Sequence, residues 1–172
     1  MRYKGPAVAL SALAFLLGAC GGGVRGKGSA AIAGFLDMAK RGDPKAFEAA
    51  IDRPALRSDL RQQIADVGRR HSVDVGGASE FALDRMITPQ AARLTAARVE
   101  PGWPAAPTAA QIVPHMKVLD GTHICLEEAA TRRCLLSFAQ EDGAWRLVGM
   151  AFTPPPADGP PGPAADAAAP TG

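Results

Sequence analysis

The chain has 172 residues, 47% of them hydrophobic and 21% charged, long enough to bury the core of one domain. Its formal net charge of +2 comes from 19 Lys plus Arg against 17 Asp plus Glu. Both surplus cations, Arg2 and Lys4, lie before residue 19, and the remainder is balanced at 17 against 17. That balance excludes the basic footprint of a nucleic-acid-binding domain.

Arg2 and Lys4 precede the apolar run Ala7 to Leu17, which closes with Leu17-Gly18-Ala19-Cys20. A run of this length falls short of the roughly 20 residues needed to span a bilayer and has the layout of a secretory signal. Small residues directly before a cysteine resemble the lipobox of bacterial lipoproteins. The resemblance implies cleavage before Cys20, a diacylglycerol on its thiol, acylation of the new amino terminus and a periplasm-facing domain. Gly21 stands where an aspartate marks inner-membrane retention in some bacteria, which favours the outer membrane. The competing reading is an ordinary signal peptide cleaved near Ala19 that leaves a free thiol. At about 0.8 kcal/mol per buried CH₂, one acyl chain binds marginally and two or more hold firmly. The expected division is a signal over 1–19, a glycine-rich tether over 20–28 (CGGGVRGKG), an α+β domain over 29–152 and a disordered Pro/Ala-rich tail over 153–172.

The first half of the domain reads as helices. Ile32, Phe35, Leu36 and Ala39 share one helical face, and Gly42 stops that helix. Asp43-Pro44 starts the next as cap and first-turn proline, with Phe47, Ala50 and Ile51 buried. Asp52 or Arg53 before Pro54 opens a third helix striped by Leu56, Leu60, Ile64 and Val67. Short helices follow from Ser79 and from Thr88-Pro89, and residues 100–110 read as a proline-broken loop.

The second half changes period. Val113–Leu119, Thr122–Glu127, Arg133–Gln140 and Ala144–Phe152 read as four strands, with Asp120-Gly121 and Asp142-Gly143 as two-residue hairpin turns. Helices followed by an antiparallel meander predict an α+β domain with the helices packed on one sheet face. Trp145 is the expected anchor between sheet and helices.

Cys125 and Cys134 flank a turn near Ala129-Ala130. A symmetric turn places them opposite each other at a non-hydrogen-bonded pair, where side chains approach most closely. Exported proteins are oxidised, so a structural disulfide is expected, against two buried thiols. His123, Cys125, Cys134 and His115 do not have the spacing of a structural zinc motif. Glu127 and Glu128 point to opposite faces and read as solvated hairpin residues rather than an acid/base pair. Arg53, Arg57 and Arg61 recur every fourth residue, either as a solvated helix face or as a surface for anionic headgroups. No catalytic, cofactor-binding or metal-ligating set is assigned.

Phe35 to Asp43, Ile51-Asp-Arg-Pro-Ala-Leu-Arg57, Leu60 to Ile64, Met86 to Gln90 with Leu94, and Trp145 to Val148 resemble the bacterial family catalogued as domain of unknown function 2939. The resemblance covers about 30–154 and implies no activity. It implies structural roles for Asp52 (cap), Pro54 (first turn), Leu56 (core) and Arg57 (carboxylate partner). The layout is also similar to cystatin-like and nuclear-transport-factor-2-like folds, a fold-level analogy alone. The expectation is a non-enzymatic, lipid-anchored domain that binds a protein or envelope component. The alternative is a module for a small apolar ligand or lipid, held between helices and sheet.

Overall fold

The computed structural model describes residues 23–72 and 76–152. Cys20 and the segment 153–172 lie outside the described residues. Among the described residues six α-helices lead into four strands: α1 (Val24–Arg41), α2 (Pro44–Ala49), α3 (Arg53–His71), α4 (Glu80–Met86), α5 (Pro89–Ala96), α6 (Ala109–Ile112), β1 (Met116–Val118), β2 (His123–Glu127), β3 (Cys134–Glu141) and β4 (Ala144–Met150). The strands form one antiparallel sheet in the order β1-β2-β3-β4. The architecture is α+β, as the change of period predicts.

Side-chain caps set most helix starts. Asp43 accepts the amides of Lys45 and Ala46 at 2.9 and 3.1 Å, and Asp52 accepts that of Ala55 at 3.0 Å. Ser79 and Thr88 cap α4 and α5 in the same way. Each such oxygen satisfies an amide that has no partner within its helix, typically worth about 1 kcal/mol.

Three boundaries differ from the sequence reading. Helix α1 begins at Val24, inside the segment expected to be a tether. Gly28 packs flat against the sheet there, and a Cβ on it would lie 2.7 Å from Ile124 Cδ1. Ser29 is 2% exposed. Tertiary packing of this kind outweighs the roughly 1 kcal/mol helix penalty of each glycine. Helix α6 begins inside the stretch 100–110 expected to be a loop. Thr108 and Gln111 close a capping box around its first turn, and Pro114 sits in a 3₁₀ turn, Val113–His115, that delays β1 to Met116. The β1–β2 connection is not a two-residue turn. Asp120 Oδ1 instead accepts the amides of Thr122 and His123 at 2.7 and 2.8 Å, an Asx-type turn. At the second hairpin Asp142 and Gly143 do take positive φ, 48° and 81°, which matches the twist of the flanking strands.

The core fills the space between the helices and one sheet face. Phe35 stands edge-on to Phe138 with ring centroids 5.3 Å apart and lies 5.8 Å from Phe47. Ile32, Leu36, Leu56, Leu60, Ile124, Leu126 and Leu136 are buried around them. Each such side chain contributes about 1.5–3 kcal/mol on burial. Trp145 is half-buried against this cluster.

The outer edge of β4 is closed from the helical side. Ile51 forms a parallel bridge with Leu147, in which Asp52 N–H donates to Leu147 O at 2.9 Å and Leu147 N–H donates to Ala50 O at 3.0 Å. Val148 is left unpaired by a register shift in the β3–β4 ladder, so the next outward backbone groups belong to Met150. These are met by α3. Met150 N–H donates to Asp59 at 3.0 Å, and Gln63 donates to Met150 O at 2.9 Å while accepting Phe152 N–H at 2.7 Å. An open strand edge is thereby removed.

Candidate functional site

Cys125 and Cys134 are joined at 2.07 Å, with Cα atoms 5.6 Å apart. The disulfide is the one expected, but its register is not. Cys125 lies opposite Ser137, and Cys134 lies opposite Glu127. A shift between Leu126 and Glu127 accommodates the additional residue Leu135 and brings the two cysteines together diagonally. The symmetric turn is replaced by a longer loop in which Glu128 N–H donates to Arg133 O at 2.9 Å and Arg132 takes φ 58°. Cys125 is fully buried and Cys134 is exposed.

Cys134 borders a cleft of about 250 Å³ between α3 and the β3–β4 face, lined also by Asp59, Gln63, Arg133, Ser137 and Met150. That volume lies below the roughly 300–1,000 Å³ typical of small-molecule sites. Asp59 receives Gln63 Nε2 at 2.8 Å as well as the Met150 amide. Burial raises its carboxyl above the usual value, and those two donors only partly counter the effect. Asp59 and Gln63 were missed by sequence reading. Nothing in the spacing of α3 reveals which strand edge Asp59 meets.

Arg53, Arg57 and Arg61 of α3 form a partly solvated face whose charges are engaged by carboxylates of α2 and α4, not a free headgroup surface. Arg57 holds Asp84 of α4 through two hydrogen bonds, Nε to Oδ1 at 2.7 Å and Nη2 to Oδ2 at 2.6 Å. Arg53 adds a third at 3.0 Å and also pairs with Glu48, while Arg61 pairs with Glu80. Hydrogen bonding from Arg57, then from Arg53, holds the Asp84 carboxyl below its usual range. Asp52 caps, Pro54 occupies the first turn, Leu56 is fully buried and Arg57 finds its carboxylate.

Glu127 is a second correction. It is 2% exposed rather than solvated, with Arg132 Nη2 at 2.7 Å and Lys117 Nζ at 3.7 Å. Glu128 pairs with Arg98 and accepts from Thr131, which holds its carboxyl low. The histidines do not converge on the cysteines. His123 lies 2.9 Å from Asp120, whose carboxyl is held down to about 2 by the Thr122 amide first and by His123 next. His115 lies 3.1 Å from Glu100. Among the described residues no group of three or more His, Cys, Asp or Glu is placed to hold a metal ion.

No family model matches the chain, no curated protein matches it and no solved structure does.

Proposed function

We propose that this chain is a lipid-anchored protein of the bacterial envelope, held by Cys20 and facing the periplasm, with the outer membrane favoured. Its domain serves as a non-enzymatic binding module for an envelope protein. The single observation that carries the reading is Leu17-Gly18-Ala19-Cys20 at the end of a short apolar run behind Arg2 and Lys4. The polar pairs of the fold support a non-catalytic domain, because Asp84, Asp59 and Glu127 brace one element against another. Filling of the helix–sheet interior by Phe35, Phe47 and Phe138 favours a protein partner over a small apolar ligand. Phe81 and Leu94, 70% and 61% exposed on consecutive helices, are the large apolar side chains such a partner would cover.

Mass spectrometry of the amino-terminal peptide and fractionation of a Cys20→Ser variant test the anchor. A diacylglyceryl mass on Cys20 and release of the variant from membranes are expected, and a variant that stays membrane-bound overturns the anchor. Photo-crosslinkers at Phe81 and Leu94, with exposed Ser58 as control, test the binding surface. The same crosslinked protein band from both test positions and not from Ser58 is expected. Labelling indistinguishable from the control refutes this surface.

A further inference from the structure

We infer that the end of the domain carrying Arg25, Lys27 and Trp103 lies on the membrane and takes the anionic headgroups of its phospholipids. The inference rests on the reading of Cys20 as lipidated. Three residues, Gly21 to Gly23, separate Cys20 from the first residue of α1, Val24. An extended chain covers at most about 3.6 Å per residue, so the anchor reaches roughly 14 Å. Helix α1 has 18 residues and is about 27 Å long at 1.5 Å per residue. The domain can therefore lean on its tether but cannot stand inverted on the Arg41 end of α1, which would hold Val24 about 27 Å from the bilayer, beyond the roughly 14 Å reach. The eight-residue coil expected from 21–28 would have allowed that.

The chemistry at the tethered end matches the surface it must meet. Arg25 Nη1 donates to Val113 O at 3.4 Å, which ties the start of α1 to the turn Val113–His115. His115 stands edge-on to Trp103, ring centroids 5.6 Å apart, and Gly28 packs onto Met116 and Ile124. Arg25, that turn and the half-buried Trp103 are thus linked into one end of the molecule. Arg25 and Lys27 are exposed, and among the described residues neither has a carboxylate partner. Arg53, Arg57 and Arg61 of α3, by contrast, are all occupied by acids. The first turn of α1 contains no acidic residue. Glu100, joined to this end through His115, is engaged with its Nε2 at 3.1 Å.

A cation held at an anionic bilayer surface improves partitioning about fivefold, and a tryptophan ring favours the headgroup level. Two cations alone would not recruit the domain. Once the lipid has made the encounter intramolecular, they are enough to set its orientation.

The test places an environment-sensitive fluorophore at Ala30→Cys or Lys40→Cys, both exposed positions of α1, in the lipidated full chain. The chain is reconstituted in phosphatidylethanolamine/phosphatidylglycerol vesicles carrying headgroup-level spin-labelled lipid. Mass spectrometry reads lipid on Cys20 independently. Several-fold stronger quenching at position 30 than at 40 is expected, and Arg25→Glu with Lys27→Glu should lower it toward the level at 40. Phosphatidylcholine vesicles should do the same. With lipid present on Cys20, equal quenching at the two positions, or no response to charge reversal, overturns this inference and leaves the anchor standing. A chain without lipid on Cys20 overturns both.

Discussion

Arg57 and Asp84, 27 residues apart in sequence, meet through two parallel hydrogen bonds of 2.7 and 2.6 Å that hold α4 against α3. A planar guanidinium facing a carboxylate in this way fixes distance and orientation together. Asp84→Asn should lower the melting temperature at neutral pH, and more so at low salt than at high. The folded Asp84 carboxyl titrates below its unfolded value of about 3.9. Its stabilisation is therefore complete above that value and is lost as pH falls through the lower, folded one. Melting curves of wild type and variant should converge on acidification below pH ~4, and a gap that persists there contradicts the assignment.

Asp59 titrates with the opposite sign. Burial raises its carboxyl, so the folded state binds its proton more tightly than the unfolded chain does. Stability credited to Asp59 is present in acid and declines as pH rises from about 4 through the folded value. Asp59→Asn keeps an acceptor for the Met150 amide while removing the buried charge. It should match or exceed wild type at neutral pH and lose that advantage below pH ~4. Asp59→Ala strands the Met150 amide and should cost about 1–3 kcal/mol, as measured by denaturant midpoints.

Gln63 both donates and accepts at the edge of β4, which a carboxylate cannot do. Gln63→Glu loses the donor to Met150 O and sets two acids together. A loss of about 1–3 kcal/mol at neutral pH is expected, largely recovered on acidification as the new carboxyl protonates. A deficit independent of pH would mean that the edge contact is not what fails.

The disulfide closes a loop of sequence separation 9. Chain entropy assigns about 2–3 kcal/mol to a loop of this length. Reduction, or Cys134→Ala, should lower the denaturation midpoint correspondingly. Non-reducing mass spectrometry with alkylation should find no free thiol at Cys125 or Cys134, and two alkylated thiols would refute the pairing.

Residues acting over short range were legible in advance. Asp43-Pro44, Asp52 with Pro54, Ser79 and Thr88-Pro89 placed four helix starts, because a cap meets an amide two or three positions away. Asp142-Gly143 placed the last hairpin for a similar reason. The signal for α6 was also present, in Thr108 and Gln111 three residues apart, but the surrounding prolines masked it. Asp120-Gly121 misled because the Asp120 side chain, rather than backbone geometry, closes its turn. The cysteine pairing was legible while its register was not, since Leu135 enters the ladder through a shift that no local pattern announces.

The sequence by itself determined the helix caps, the α+β order and the cysteine at the end of the apolar run. Tertiary structure alone decided that α1 begins at Val24, that Arg57 belongs to Asp84, and that Asp59 and Gln63 close the edge of β4. The first set follows from contacts within a turn or two of chain, where spacing is geometry. The second depends on which surfaces meet across the fold, and Gly28 lets α1 approach the sheet closely because Ile124, 96 residues later, leaves no room for a side chain there.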